Sequence, residues 1–168
     1  MPGIVSETTP TADTTNNPRV ERLVKAEQVC LNAGGCCLRL AGLYDLTRGA
    51  HNYWITSGKP ISSSPDGMVN LLHYYDAASA CVAALKAGAS VVQGKVFLIS
   101  DNHPLSRYSI CEFALQARVY QQYDMPEFTG TDEQPWAKGK IYDVANSMKS
   151  LNWQPFYPSF EEFMESNS

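Results

Sequence analysis

The sequence predicts an α/β domain. Apolar, strand-like runs at 36–43, 68–73 and 95–100 alternate with segments whose apolar residues recur at helical spacing, and glycine, proline or aspartate stands at most of the junctions. At 168 residues, with 44% hydrophobic and 18% charged, the chain has the size and composition of one soluble globular domain with its own core, spanning 1–168.

Residues 1–18 read as a loop-like lead-in, acidic and Thr-rich. A basic start followed by an apolar stretch is missing, so no secretory signal or Arg-rich transit peptide is expected and the default location is cytoplasmic. The Thr/Asn-rich stretch 6–17 leads into a helix opened by Pro18, whose fixed φ suits a first helical turn. Val20, Leu23, Val24 and Val29 fall near helical spacing, Glu21 and Lys25 form an i,i+4 pair, and Gly34 and Gly35 end the element. The run 36–43, interrupted by Arg39, predicts one mostly buried strand.

A polar loop with Gly58, Pro60 and Pro65 precedes a second strand at 68–73. Asp76 then reads as the N-cap of an Ala-rich helix over 77–86, closed by Gly88. The clearest strand is 95–100. It turns at 101–104 into a helix capped by Ser106, with Ile110, Phe113, Ala114 and Ala117 at i, i+3, i+4 and i+7. Residues 120–138, rich in turn formers and acids, predict a surface excursion. A short edge strand at 141–144, helical turns ending near Leu151, and a last helix opened by the capping box Ser159-x-x-Glu162 complete the chain.

Several function classes fall away. The formal net charge of −4, with no basic stripe, argues against nucleic acid, and no run of ~18 apolar residues spans a bilayer. The five cysteines include no C-x-x-C pair and read as reduced thiols behaving as small hydrophobes. The three histidines lack ligand spacing, so no metal site is expected. There is no Gly-x-Gly-x-x-Gly turn, phosphate loop or Gly-x-Ser-x-Gly elbow, and no nucleophile-and-base arrangement that would make a small hydrolase. None of the nine tyrosines has a lysine one helical turn later, the spacing that lowers a tyrosine pKa for carbonyl reduction. No catalytic residue is assigned.

Four strings nevertheless carry a resemblance. Arg39-Leu40-Ala41-Gly42-Leu43-Tyr44 followed by Arg48, Asn70-Leu71-Leu72-His73-Tyr74-Tyr75-Asp76-Ala77-Ala78, Gly94 through Asp101, and Leu151-Asn152-Trp153-Gln154-Pro155 with Tyr157-Pro158-Ser159 occur in this order. They resemble, at its spacing, the C-terminal half of the extended short-chain dehydrogenases/reductases, the NAD-dependent epimerase/dehydratase family. The resemblance implies a partial Rossmann-like parallel sheet with a substrate-side subdomain, and NAD or NADP as the family's cofactor. It places the glycine fingerprint upstream of Met1, and Arg19 and Leu23 where the family's catalytic Tyr and Lys would stand. Asp45-Leu46-Thr47 departs from the family's Gly-Pro-Gly, and Tyr75 from an Asp.

By the same resemblance Ala41, Gly42, Leu43 and Tyr44 would border the cofactor, and Arg48, Asn70 and His73 would face a small-molecule substrate. Each also has a plainer reading: Arg48 as a solvated loop residue, Asn70 and His73 as hydrogen-bonded groups at a strand end, and Trp136, Trp153 and the aromatics at 156–163 as packing groups. The expectation is a truncated relative, inactive alone, whose intact form would be an oxidoreductase or epimerase acting on a small polar or nucleotide-sugar substrate. The alternative is a non-catalytic binding or scaffold module derived from this fold. In either case an incomplete sheet invites self-association or a partner chain.

Overall fold

A computed structural model describes residues 2–11 and 17–168. Helix α1 (Pro18–Asn32) starts as its sequence predicts, with Pro18 in the first turn and the Asn17 side chain accepting from the Val20 amide. The Glu21–Lys25 pair forms at 2.6 Å. The lead-in is not wholly loop: Gly3–Val5 forms strand β1, and residues 12–16 of the expected loop lie outside the described residues. β1 exists because it pairs in parallel with β8 (Lys140–Tyr142), a partner too distant in sequence for local pattern to disclose.

The run 36–43 is two strands rather than one. β2 (Cys37–Leu40) pairs in parallel with β6 (Val96–Ile99), and after Ala41 the chain changes neighbour, so that β3 (Gly42–Tyr44) pairs in parallel with β5 (Leu71–His73). The stretch 68–73 divides in the same way at Asn70: β4 (Met68–Val69) runs antiparallel to β7 (Leu105–Ser106) before β5 begins. A change of partner within one apolar run leaves no mark in its hydropathy, which explains both divisions.

The helices sort onto two cores. Ala77, Ala80 and Ala84 of α3 (Tyr74–Ala87) pack with Phe97 and Ile99 of β6 and Leu151 of α6 (Ala145–Leu151), so small side chains bring the helix close to the sheet. Ser147 on α6 accepts from the Leu98 amide at 2.8 Å, and its hydroxyl is bonded to Glu7. The second core joins Tyr44 and Leu71 to Ile55 of α2 (Ala50–Thr56), Ile110, Cys111 and Ala114 of α5 (Arg107–Ala114), and Phe160 and Met164 of α7 (Phe160–Glu165). Helix α2 has no side-chain cap and follows Gly49 at φ 131°, where a β-carbon would crowd Tyr44, the Leu43 carbonyl and His51. The short helix α4 (Ala89–Val92) returns the chain to β6, and two 3₁₀ turns, Arg118–Tyr120 and Pro135–Lys138, lie in or next to the expected surface excursion.

One side of the molecule is left bare. Among the described residues β2 has a single sheet neighbour, β6, and α1 contains no buried residue, with Leu23 64% and Val29 69% exposed. The Leu23 and Val29 side chains of α1 therefore do not face this chain's own core.

Candidate functional site

The carboxyl ends of β3, β5 and β6 converge on a nest of aromatic rings. Tyr44 closes β3 and is fully buried, its ring centroid 5.3 Å from His73, 4.9 Å from Phe160 and 5.6 Å from Phe163. His73 closes β5 and lies 4.1 Å from Tyr157 and 4.7 Å from Phe163. Its Nδ1 accepts from the Tyr75 amide at 3.1 Å, which makes His73, not Asp76, the N-cap of α3. A ring that accepts at Nδ1 carries its proton at Nε2. Burial holds its pKa below the ordinary histidine value, against the opposing pull of Asp76 and Asp45.

Asp76, expected at the cap, does something else. It is fully buried in the first turn of α3, and its two carboxylate oxygens accept the Phe156 and Tyr157 amides at 2.6 and 3.0 Å. The aspartate thereby fastens the C-terminal segment across the nest. Beneath it lies Asp101, just past β6, whose Oδ1 accepts from the His103 amide at 2.9 Å. Asp101 Oδ2 and the Tyr44 hydroxyl are buried without a hydrogen-bond partner among the described residues. Burial, more than the nearby charge of Asp76, pushes the Asp101 carboxyl up to about 7, and burial with Asp101 alongside pushes the Tyr44 phenol above its ordinary range. No residue-level signal in the sequence singled out Asp101; it was visible only as a turn former after a strand.

Of the residues singled out by resemblance, Tyr44 and His73 meet in this nest and Gly42 adjoins Asn70, while the side chains differ in exposure and partners. Ala41 is buried, Gly42 is exposed and Leu43 half-buried. The space a Gly42 β-carbon would take is bounded by the Asn70 carbonyl at 3.2 Å and Leu71, which is the chain's own packing and not a cradle for a ligand. Asn70 turns toward β8, donating to the Lys140 carbonyl at 2.8 Å and accepting from the Tyr142 amide at 2.9 Å, so it stands in for a strand rung. Arg48 is exposed, with its guanidinium carbon 4.9 Å from the centre of the Tyr74 ring. Arg19 and Leu23 are exposed on α1. A groove of about 750 Å3 lies elsewhere, between α3 and α6, lined by Tyr75, Ser79, Val82 and Asn152 among others. Among the described residues no cluster of histidine, cysteine or carboxylates could hold a metal ion, and no helix is long and apolar enough to cross a membrane.

No family model matches the sequence, and no curated protein matches it. Solved structures do. The dTDP-glucose 4,6-dehydratase of Bacillus anthracis, in complex with NAD, superposes with a TM-score of 0.73 at 18% identity, over 98% of this chain and 54% of that one. The fold is that of NAD-dependent epimerases and dehydratases. The UDP-glucuronic acid 4-epimerase of Bacillus cereus, also with NAD, matches with a TM-score of 0.71 at 17% identity, over 99% of this chain and 55% of that one. A functionally unknown conserved protein of Silicibacter pomeroyi reaches 0.72 at 22% identity, over 98% and 60%. The chain thus spans about half the length of the epimerase and dehydratase structures it matches. It carries the short parallel strand pairs of a partial Rossmann-like sheet.

The residues present do not by themselves form a dinucleotide site. Such a site needs a glycine turn that opens a helix toward the pyrophosphate, and this chain has none, while two of the four residues expected beside the cofactor, Ala41 and Tyr44, are closed off inside the fold.

Proposed function

We propose that this chain is the substrate-side portion of an NAD(P)-dependent epimerase- or dehydratase-like protein, working as an oxidoreductase or epimerase on a small polar or nucleotide-sugar substrate only together with a dinucleotide-binding half. The observation that carries this reading is the bare side of the sheet. β2 lies in a parallel pair with one neighbour, and α1 beside it has no fully buried residue, so a parallel strand and its helices fit there. The partner in this reading is a polypeptide that supplies the glycine fingerprint. Arg48, Gly42 and Leu43, which are open or half-open to solvent, are the residues best placed to meet a substrate or cofactor held by that partner.

The test is a titration of the 168-residue chain with NADH and NADPH, followed by tryptophan fluorescence, with circular dichroism reporting the fold. A folded chain without saturable binding is the expected result, and micromolar binding by this chain alone would overturn the need for a second half. The absence of a Tyr and Lys one turn apart on α1 favours a second reading, a non-catalytic scaffold module of the same fold. Sedimentation and activity separate the two. Supplying a dinucleotide-binding half restores nucleotide-sugar turnover under the first reading and gives association without turnover under the second.

A further inference from the structure

Cysteine thiols meet where α1 crosses β2, and the nucleotide-sugar reading has no use for them. Side chains alternate along an extended strand. Cys36 and Leu38 accordingly pack with the core under α3, while Arg39 turns the other way and holds Glu27 of α1 with Nε at 2.9 Å from Oε2. Cys37 shares the Arg39 face, and Cys30 stands one helical turn beyond Glu27 on α1. The strand pair Cys37 and Arg39 therefore opposes the helix pair Cys30 and Glu27. The Cys37 thiol points at the Glu27 carbonyl at 3.8 Å and the Cys30 thiol points at the Cys36 carbonyl at 3.5 Å, so both thiols lie in the seam between α1 and β2. Both are free and half-buried.

We propose that Cys30 and Cys37 are a redox-responsive pair that a low-molecular-weight disulfide such as oxidised glutathione converts to an intramolecular disulfide, fastening α1 to β2. The pairing is selective because the Cys36 side chain, just before β2, packs with the core under α3, whereas Cys37 shares the face of β2 that Arg39 presents to α1. Burial, with the adjoining Cys30 thiol and Glu27, pushes the Cys37 thiol up to about 11, so Cys37 holds its proton at neutral pH and reacts second. The Cys30 sulfur attacks one sulfur of oxidised glutathione, forming a mixed disulfide and releasing the first glutathione, which takes up the Cys30 proton. The Cys37 sulfur then attacks the Cys30 sulfur, the bond to glutathione breaks, and the second glutathione leaves with the Cys37 proton. Two cysteines are oxidised and one glutathione disulfide is reduced. The consequence is mechanical. In the reduced state α1, which buries no residue, has the Glu27–Arg39 ion pair as its charged tie to the sheet, and oxidation adds a covalent tie beside it.

The experiment treats the reduced 168-residue chain with oxidised glutathione, once in native buffer and once in urea, then alkylates and digests with trypsin. No lysine or arginine lies between Lys25 and Arg39, so the peptide 26–39 holds Cys30, Cys36 and Cys37 together. In native buffer this peptide is expected to lose two hydrogen atoms and keep one alkylatable thiol, which fragmentation places at Cys36. Cys36→Ser keeps the loss, and Cys30→Ser or Cys37→Ser abolishes it. In urea Cys30 pairs with Cys36 and with Cys37 without preference, the adjacent Cys36 and Cys37 being too close for an unstrained bond to each other. Amide exchange in α1 slows several-fold on oxidation. Equal pairing in buffer and urea, a disulfide through Cys36 or Cys81 in buffer, stable glutathionylation of Cys30 without ring closure, or unchanged exchange in α1 would each overturn the proposal.

Discussion

Asp101 keeps a carboxyl group where a carboxylate is costly to hold. Its folded pKa of about 7 lies above the ordinary value of 3.8, with burial the main cause. Below about pH 4 folded and unfolded chains both hold the proton, and this group's contribution to stability is greatest. As pH rises toward 7 the unfolded chain releases its proton first, so stability falls, by about 4 kcal/mol across the window. Asp101→Asn keeps the acceptor for the His103 amide and removes the titration. Its urea midpoint should therefore pull ahead of the wild type progressively between pH 4 and pH 8. A difference between the two proteins that does not change with pH would refute the assignment. His51 and His73 act in the opposite sense. Burial holds both neutral, so their contribution is present above the ordinary histidine pKa of 6.5 and is lost as pH falls below it. The Asn variant should consequently show a loss of stability as pH falls below 6.5 that the wild-type profile masks.

At the scale of the element, the C-terminal segment is held at two points of different kinds. Ser159 caps α7, accepting from the Glu162 amide at 3.1 Å, and this was legible because the capping box is local. Ser159→Ala should cost about 1 kcal/mol. Asp76 holds the Phe156 and Tyr157 amides from 80 and 81 residues away, and the sequence offered only its position near a helix start, which led to the cap reading. Asp76→Ala leaves the half-buried Phe156 and Tyr157 amides without their charged acceptor and should cost about 2 kcal/mol. The two substitutions are distinguishable by near-ultraviolet circular dichroism: Asp76→Ala should lose the signal of the packed rings around His73, and Ser159→Ala should keep it. Equal losses for both would show that the carboxylate is not what seats the segment. The same contrast explains the rest of what was and was not legible. α1, α3, α5 and β6 carry caps, spacing or an apolar run within themselves. β1, the division of 36–43 and helix α2 depend on a distant neighbour or on the backbone of a single glycine.

The whole molecule is uneven in how firmly its parts are held. β6 and α5 sit inside the two cores, whereas α1, 15 residues long, rests on the sheet by the Glu27–Arg39 pair and the Cys30 and Cys37 thiol contacts, with no fully buried side chain. A helix of about 12–15 residues is marginal in water unless packing supports it. Arg39 holds the Glu27 carboxyl below its usual range, but a partly exposed pair is screened and contributes at most about 1 kcal/mol. The apolar spacing of Leu23, Val24 and Val29 was read correctly as a helix and carried no information on which surface would cover it. Hydrogen exchange measures that surface directly. In the isolated, reduced chain the amides of 20–32 should exchange orders of magnitude faster than those of β6, and adding a dinucleotide-binding half should slow them toward the β6 rate. If α1 is as protected as β6 in the isolated chain, then α1 is already supported, and the bare side of the sheet is not the place where a second half belongs.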